Sequence, residues 1–202
     1  KCTSPNCPAQ LERHMINFVG RDAMDIKGFG ATYIMELVRL GYLKDIADIY
    51  DLKQHREELI EQGIIGKEKN TDKLLDAIEK SKQNEAFQLL TGFGIPNVGK
   101  AAAKTILKHF GSIEALMQAD MESLQQVADV GEVTALCIRN YFQDENNCKI
   151  IERLKEAGVN MEMAETGSED GRFDGLTFVI TGTLPTMDRK AAAALIEAHG
   201  GK

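Results

Sequence analysis

Tryptophan is absent from this chain of 202 residues, proline and cysteine occur only 4 times each, and aromatic residues make up 6%. So little proline excludes collagen-like and proline-rich disordered classes. Four cysteines in a chain this long do not build a disulfide scaffold. Cys137 and Cys148 stand singly while Cys2 and Cys7 form a close pair, so a reducing, cytoplasmic setting is expected. No run approaches the ~20 apolar residues of a membrane span, and no membrane association is expected. The chain opens on Lys1-Cys2-Thr3-Ser4 rather than on a basic patch and an apolar run. Its start therefore reads as a cut inside a longer protein, not as a signal peptide. Positive charge is also short, with 24 Lys and Arg against 31 Asp and Glu and a formal net charge of −7. A broad electrostatic grip on nucleic acid is excluded, and any such role must rest on local geometry.

What is present is ordinary for a globular chain, with 43% hydrophobic and 27% charged residues. Texture divides it into segments. Residues 1–17 hold the cysteine pair and a Cys-Pro turn. Residues 18–164 are rich in Leu, Ile, Ala, Lys and Glu, broken by short glycine-containing turns, and predict helices. Residues 165–172 are polar and carry glycines, and read as a linker. In residues 173–202, Leu176–Thr181 predicts a buried strand, Gly182-Thr183-Leu184 a turn, and Asp188 to about His199 a helix. A lone strand and helix cannot bury a sheet face, so this last segment is expected to be part of an unfinished domain.

The helical region contains a repeat: helix, short turn with a hydrophobic-Gly step, helix. One copy is Met24-Asp25-Ile26-Lys27-Gly28-Phe29-Gly30, followed by a helix from about Ala31 to Leu40. A third runs from Leu89 through Gly94-Ile95-Pro96-Asn97-Val98-Gly99 into a helix from Lys100 to His109, and a fourth from Leu124 through Val130-Gly131 into Glu132 to Phe142. The second, around Ile64-Ile65-Gly66-Lys67, is degenerate, but Leu74, Leu75 and Ile78 mark one face of a helix over 71–82. The links Leu43–Ile49 and Phe110–Leu116 also resemble each other, so the copies pair, one with two and three with four.

Each turn places a glycine at the start of a helix. The first amides of a helix have no internal partner, and the helix dipole adds roughly half a positive charge there. Glycine permits positive φ and close approach. Such a turn binds an anion without needing basic side chains, which reconciles phosphate binding with an acidic chain. Lys100, Lys104 and Lys108 share one face of the third helix, and Lys67, Lys69 and Lys73 cluster after the second turn. Glu132 disfavours a side-chain contact at the fourth. The competing reading is that these glycines only allow tight helix–helix turns.

These turns resemble helix-hairpin-helix DNA-binding motifs. The order of segments is more specific. Cys-x4-Cys-Pro-Ala-Gln-Leu (Cys2 to Leu11), Phe18-Val19, Ala23-Met24-Asp25-Ile26, four hairpins and the segment Phe173 to Leu184 together resemble the C-terminal half of a bacterial NAD-dependent DNA ligase. The last segment is similar to the start of a BRCT domain. The resemblance implies a mainly α fold of tandem helix-hairpin-helix units, at about 18–83 and 84–164. Half a zinc-finger module precedes them and a truncated α/β BRCT-like segment follows. It implies zinc at Cys2 and Cys7, completed by two cysteines N-terminal to this chain. DNA contacts are expected at Gly28, Phe29 and Gly30; at Gly66 and Lys67; at Gly94, Val98, Gly99, Lys100 and Lys104; and at Val130 and Gly131. Thr181-Gly182 is either a BRCT-type phosphate site or a plain strand-ending turn.

The family's nucleophilic lysine sits in a Lys-x-Asp-Gly motif, which this chain lacks; Glu169-Asp170-Gly171 has no lysine. NAD and magnesium are therefore expected in domains outside this chain, which alone should be inactive. His14, His55, His109 and His199 are scattered and read as surface or interface residues. The implied task is to clamp nicked duplex DNA, as a monomer, through sequence-independent contacts to backbone phosphates. Two other readings stay open: another DNA-repair protein with paired hairpins, or a helical protein-interaction scaffold.

Overall fold

The computed structural model describes residues 8–163, 173, 176–179, 192–193 and 195–196. The chain divides into two compact units, Lys1–Met163 and Ala164–Lys202. The first is mainly helical. Its elements are α1 (Pro8–Val19), α2 (Ala31–Arg39), α3 (Asp48–Asp51), a 3₁₀ turn (Leu52–His55), α4 (Arg56–Glu61), α5 (Glu68–Ser81), α6 (Ala86–Gly92), α7 (Lys100–Phe110), α8 (Ile113–Met117), α9 (Met121–Gln125), α10 (Glu132–Gln143) and α11 (Glu145–Glu156).

The helices follow from apolar spacing. On α5 the buried residues Thr71, Leu74, Leu75 and Ile78 fall three and four apart, and on α7 Ala103, Ile106 and Leu107 do the same. α5 starts three residues before the expected 71, because Lys67 adopts the extended cap conformation and Glu68 and Lys69 are good helix formers. α7 stops where Gly111 takes φ +79°, a left-handed conformation at the helix end that glycine adopts without a Cβ clash.

Four helix-turn-helix pairs result: α1–α2, α4–α5, α6–α7 and α9–α10. The short helices α3 and α8 lie in the two similar linking segments. The expected boundary between 17 and 18 falls inside α1. Met15 and Phe18 are both 0% exposed in one core with the hairpins, so residues 8–17 fold with them. Burying a side chain of this size contributes roughly 1.5–3 kcal/mol, more than a boundary inside one helix could withstand losing.

The two paired halves likewise share that core. A Cβ on Gly92 of α6 would stand 2.8 Å from the Phe18 ring. Asn84 donates to the Met24 carbonyl at 2.7 Å and Gln88 to the Ala23 carbonyl at 2.9 Å. From α11, Arg153 reaches Asp45, Asp48 and Asp51 at 2.7–2.8 Å. Within α4–α5, Arg56 holds Asp72 through two nitrogens, at 2.7 and 2.9 Å, and Glu68 at 2.9 Å. These long-range ties fix how the hairpins are presented.

In the second unit, the described part of the expected strand, Leu176–Val179, forms no strand, and Val179 is 82% exposed. An extended segment gains strand geometry only by pairing, and no partner strand exists among the described residues. Residues 192–193 and 195–196 are helical, within the expected 188–199. Cys2, Cys7, Thr181 and Gly182 lie outside the described residues.

Candidate nucleic-acid interface

All four turns close with the same backbone bond, from the amide just before the cap to the carbonyl three residues earlier. The pairs are Phe29 to Ile26 (3.3 Å), Gly66 to Gly63 (3.1 Å), Val98 to Ile95 (3.0 Å) and Val130 to Val127 (3.1 Å). The cap residues are Gly30, Lys67, Gly99 and Gly131. All are extended, with φ between −73° and −89°, and none is capped by a side chain. In three turns the residue two before the cap is left-handed: Gly28 (φ 84°), Asn97 (66°) and Asp129 (64°). A positive φ at the third position is what a type II turn requires.

This corrects where positive φ sits. Gly99 and Gly131 do not need it; the left-handed residues are Asn97 and Asp129, whose short polar side chains tolerate that region. Gly94, aligned from sequence with the turn, instead ends α6: it takes φ 68° and donates to the Thr91 carbonyl at 3.2 Å. In the second copy Gly66 itself takes φ 105°, and the cap carries the Lys67 side chain.

The glycine caps have no internal explanation. Their φ values suit any residue, and a Cβ added to Gly30, Gly99 or Gly131 would meet nothing within 4 Å. The backbone bonds to each cap carbonyl begin at Tyr33, Asn70, Ala103 and Ala135. Among the described residues, the helix-start amides before them have no acceptor in the protein. The side-chain caps lie elsewhere, at Ser112, Asp120 and Asp144. A missing cap alone is not distinctive, since α3, α4 and α6 also lack one. The combination of closed turn, bare glycine and free amides is.

The side chains of Phe29, Val98 and Val130 are 4–5% exposed and their amides close the turns. These residues therefore position the caps, and Phe29 and Val98 also form part of the walls of the hollows beside them. Gly28 and Gly30 border one open hollow with Thr32 and Tyr33, and Gly94 and Gly99 border another. The first and third hairpins are neighbours, joined by Lys100 and Asp22 at 3.8 Å. The Lys104 ammonium lies 5.9 Å over the Phe87 ring of α6, within reach of a cation–π attraction. Lys67 and Lys100 are exposed.

One positioning residue was read from sequence only as a surface or interface histidine. His14 of α1 has Nε2 3.2 Å from the Gly92 carbonyl at the end of α6, and Asn17 donates to the Thr91 carbonyl at 3.5 Å. His14 thus serves a carbonyl at the helix end, and Asn17 adds a second donor to the Thr91 carbonyl that Gly94 already serves, just ahead of the third turn. Burial holds the His14 pKa below the ordinary imidazole value, against the raising effect of the carbonyl bonds. The folded chain then binds fewer protons than the unfolded one below about pH 6.5. Stability is expected to be level above that pH and to fall as pH drops below it. His14→Gln, which keeps a donor but cannot titrate, should flatten that fall in urea melts run between pH 5 and 7; an unchanged slope would mean that His14 is not responsible.

Among the described residues no group of three or more His, Cys, Asp or Glu is placed to hold a metal, and no helix is long and apolar enough to cross a membrane.

The fold and these turns define a mainly helical protein carrying helix-hairpin-helix motifs. The family described as "helix-hairpin-helix motif" matches residues 88–151, which hold the third and fourth hairpins. Along its whole length the chain is similar to proteins named DNA ligase. It is 47% identical over 203 residues to that of Clostridium kluyveri, covering 100% of this chain and 31% of that protein. It is 46% identical over 204 residues to the DNA ligase of Desulforamulus reducens and 41% over 203 to that of Acetivibrio thermocellus, in each case covering 30% of the relative. The chain thus spans about a third of the length of the curated relatives it matches.

Proposed function

We propose that this chain is the duplex-binding part of a bacterial NAD-dependent DNA ligase, and that it clamps nicked DNA while another part of the parent protein seals the nick. The observation that carries this reading is the set of glycine-capped helix starts whose glycines the fold itself does not require. A phosphate oxygen is the acceptor they suit. It is small enough to approach a residue without a Cβ, and it is negative where the helix dipole is positive. Each amide–phosphate bond is charge-assisted, about 1.5–3 kcal/mol. Several together hold a duplex without a basic surface and without reading base edges.

The hairpins contribute unequally. The first and third each present a bare glycine cap. The second adds Lys67. The fourth contributes backbone alone, because Glu132 follows its cap. Adenylation, with NAD and magnesium, is assigned to other parts of the parent, since the sequence holds no Lys-x-Asp-Gly. Cys2 and Cys7 are assigned to half of a structural zinc site on their spacing, residues 173–202 to the start of a BRCT-like domain, and the protein to the cytoplasm as a monomer.

The test is binding of this chain to nicked duplex, intact duplex and single strand by fluorescence anisotropy at two salt concentrations. Duplex binding with little sequence preference, tightest at a nick, is expected. Failure to bind duplex at low salt, or equal binding to single strand, would sink the reading and favour the protein-interaction scaffold.

A further inference from the structure

We propose that the groove beside the third hairpin is a second phosphate track, in which Arg13 and Lys44 bind backbone phosphates of the strand held at Gly99. This rests on the duplex-binding reading above. The groove is open, with a volume of about 1070 Å³, and one continuous lining joins Gly99 to Arg13 on α1 and Lys44 ahead of α3.

Both cations are exposed, and neither has a carboxylate partner among the described residues. Three arginines elsewhere are instead held in ion pairs. Arg39 pairs with Glu36, Arg56 with Glu57, Glu68 and Asp72, and Arg153 with Asp45, Asp48 and Asp51. Asp45, the one carboxylate among the lining residues, has one oxygen taken by Arg153 at 2.8 Å and the other by the Ala47 amide at 2.8 Å. Both oxygens of that carboxylate are thus occupied within the protein, and Arg13 and Lys44 are the cations that the groove presents to solvent. Asn146 adds an exposed amide side chain to the lining. The occupant is a nucleic-acid backbone rather than an acidic protein segment because the groove runs without a break into the bare cap of α7. A strand with a phosphate at that cap continues past Arg13 and Lys44.

The two kinds of contact differ in salt dependence, which separates this proposal from the one it rests on. A side-chain cation that neutralises a phosphate steepens log K against log salt by about 0.9, whereas amide contacts carry no counterion-releasing charge. The experiment is a salt titration on nicked duplex with the unaltered chain, Arg13→Ala/Lys44→Ala and Gly99→Val, with melts confirming that all three fold. The double variant should lose affinity at low salt and show a slope shallower by about 1.8, so that between about 50 and 200 mM salt the unaltered chain loses roughly tenfold more affinity than the variant. Gly99→Val should weaken binding with its slope unchanged.

A double variant that binds with the original slope overturns the phosphate track and leaves the duplex-binding reading standing. A double variant whose duplex slope is unchanged but which no longer binds polyglutamate makes the groove a protein site and also overturns it. An unaltered chain that binds no duplex removes both proposals.

Discussion

Gly99→Val is expected to weaken duplex binding about 30-fold, the loss of about 2 kcal/mol of charge-assisted amide–phosphate bonding, with little change in the thermal melt. The argument depends on what the glycine is not doing. At φ −89° and ψ −178° the backbone is extended, a conformation valine favours, and the added Cβ would meet no atom within 4 Å. No side chain caps this helix start, so none is displaced. Valine is a poorer cap than glycine, which costs roughly a few tenths to 1 kcal/mol of stability. What valine does fill is the space in front of the amides of Lys100, Ala101 and Ala102. A phosphate reaching them would collide with its methyls.

Gly28→Val supplies the opposite case. That residue takes φ 84°, where a Cβ costs about 1–2 kcal/mol and a β-branched side chain more, so the melt should fall first and binding with it. Measuring melting and duplex affinity on both variants separates a glycine kept for a ligand from one kept for the turn. Unchanged affinity in a folded Gly99→Val chain would remove the third hairpin from the interface.

The cap glycines were legible in the sequence because they recur at one place relative to an apolar helix pattern. The helices after them, from Ala31, Lys100 and Glu132, begin where that pattern puts them. The left-handed positions were harder to see. Gly28, Asn97 and Asp129 are chemically different residues that share tolerance for one backbone region, so a search for glycine pairs matched Gly94 to the turn and passed over Asn97. The signal was available: in those three copies a residue that accepts positive φ stands two before the cap. What no local pattern could carry is tertiary. His14 and Gly92 are 78 residues apart, and nothing near His14 announces a helix end. A boundary drawn after residue 17 by the change in texture could not register that Met15 and Phe18 lie on one buried face of one helix. The Arg13–Lys44 groove is assembled from elements scattered between residues 9 and 150.

Arg153 is the clearest long-range case and gives the largest expected change in stability. Its guanidinium spans 102–108 residues of sequence to Asp45, Asp48 and Asp51, tying α11 to the segment between the first two hairpins. Asp48 is 18% exposed and Asp45 25%. Removing the arginine would strand carboxylates that cannot recover full hydration, and the remaining charges would repel one another. Hydrogen bonds to charged groups contribute about 1.5–3 kcal/mol each when buried. The guanidinium is 39% exposed, so solvent screening lowers the total, and Arg153→Ala is expected to cost about 2 kcal/mol. Urea unfolding should show a lower midpoint with an unchanged m-value. Arg153→Lys should recover only part, since an ammonium keeps the charge without the planar fork that serves three acceptors at once.

The pH dependence distinguishes this from simple loss of packing. Burial and the neighbouring Asp48 already hold the Asp45 carboxyl above its usual range, and Arg153 is the foremost of the groups pulling it back down, ahead of the Ala47 and Asp48 amides. In Arg153→Ala that pKa rises further, so the folded variant takes up more protons than its unfolded chain as pH falls through the carboxylate range. Its stability then gains on that of the unaltered protein. The gap between the two should therefore be widest near neutral pH and narrow on acidification. A gap independent of pH would mean that the arginine acts through its alkyl stem, and that the triad of aspartates does not hold the two halves of the fold together through charge.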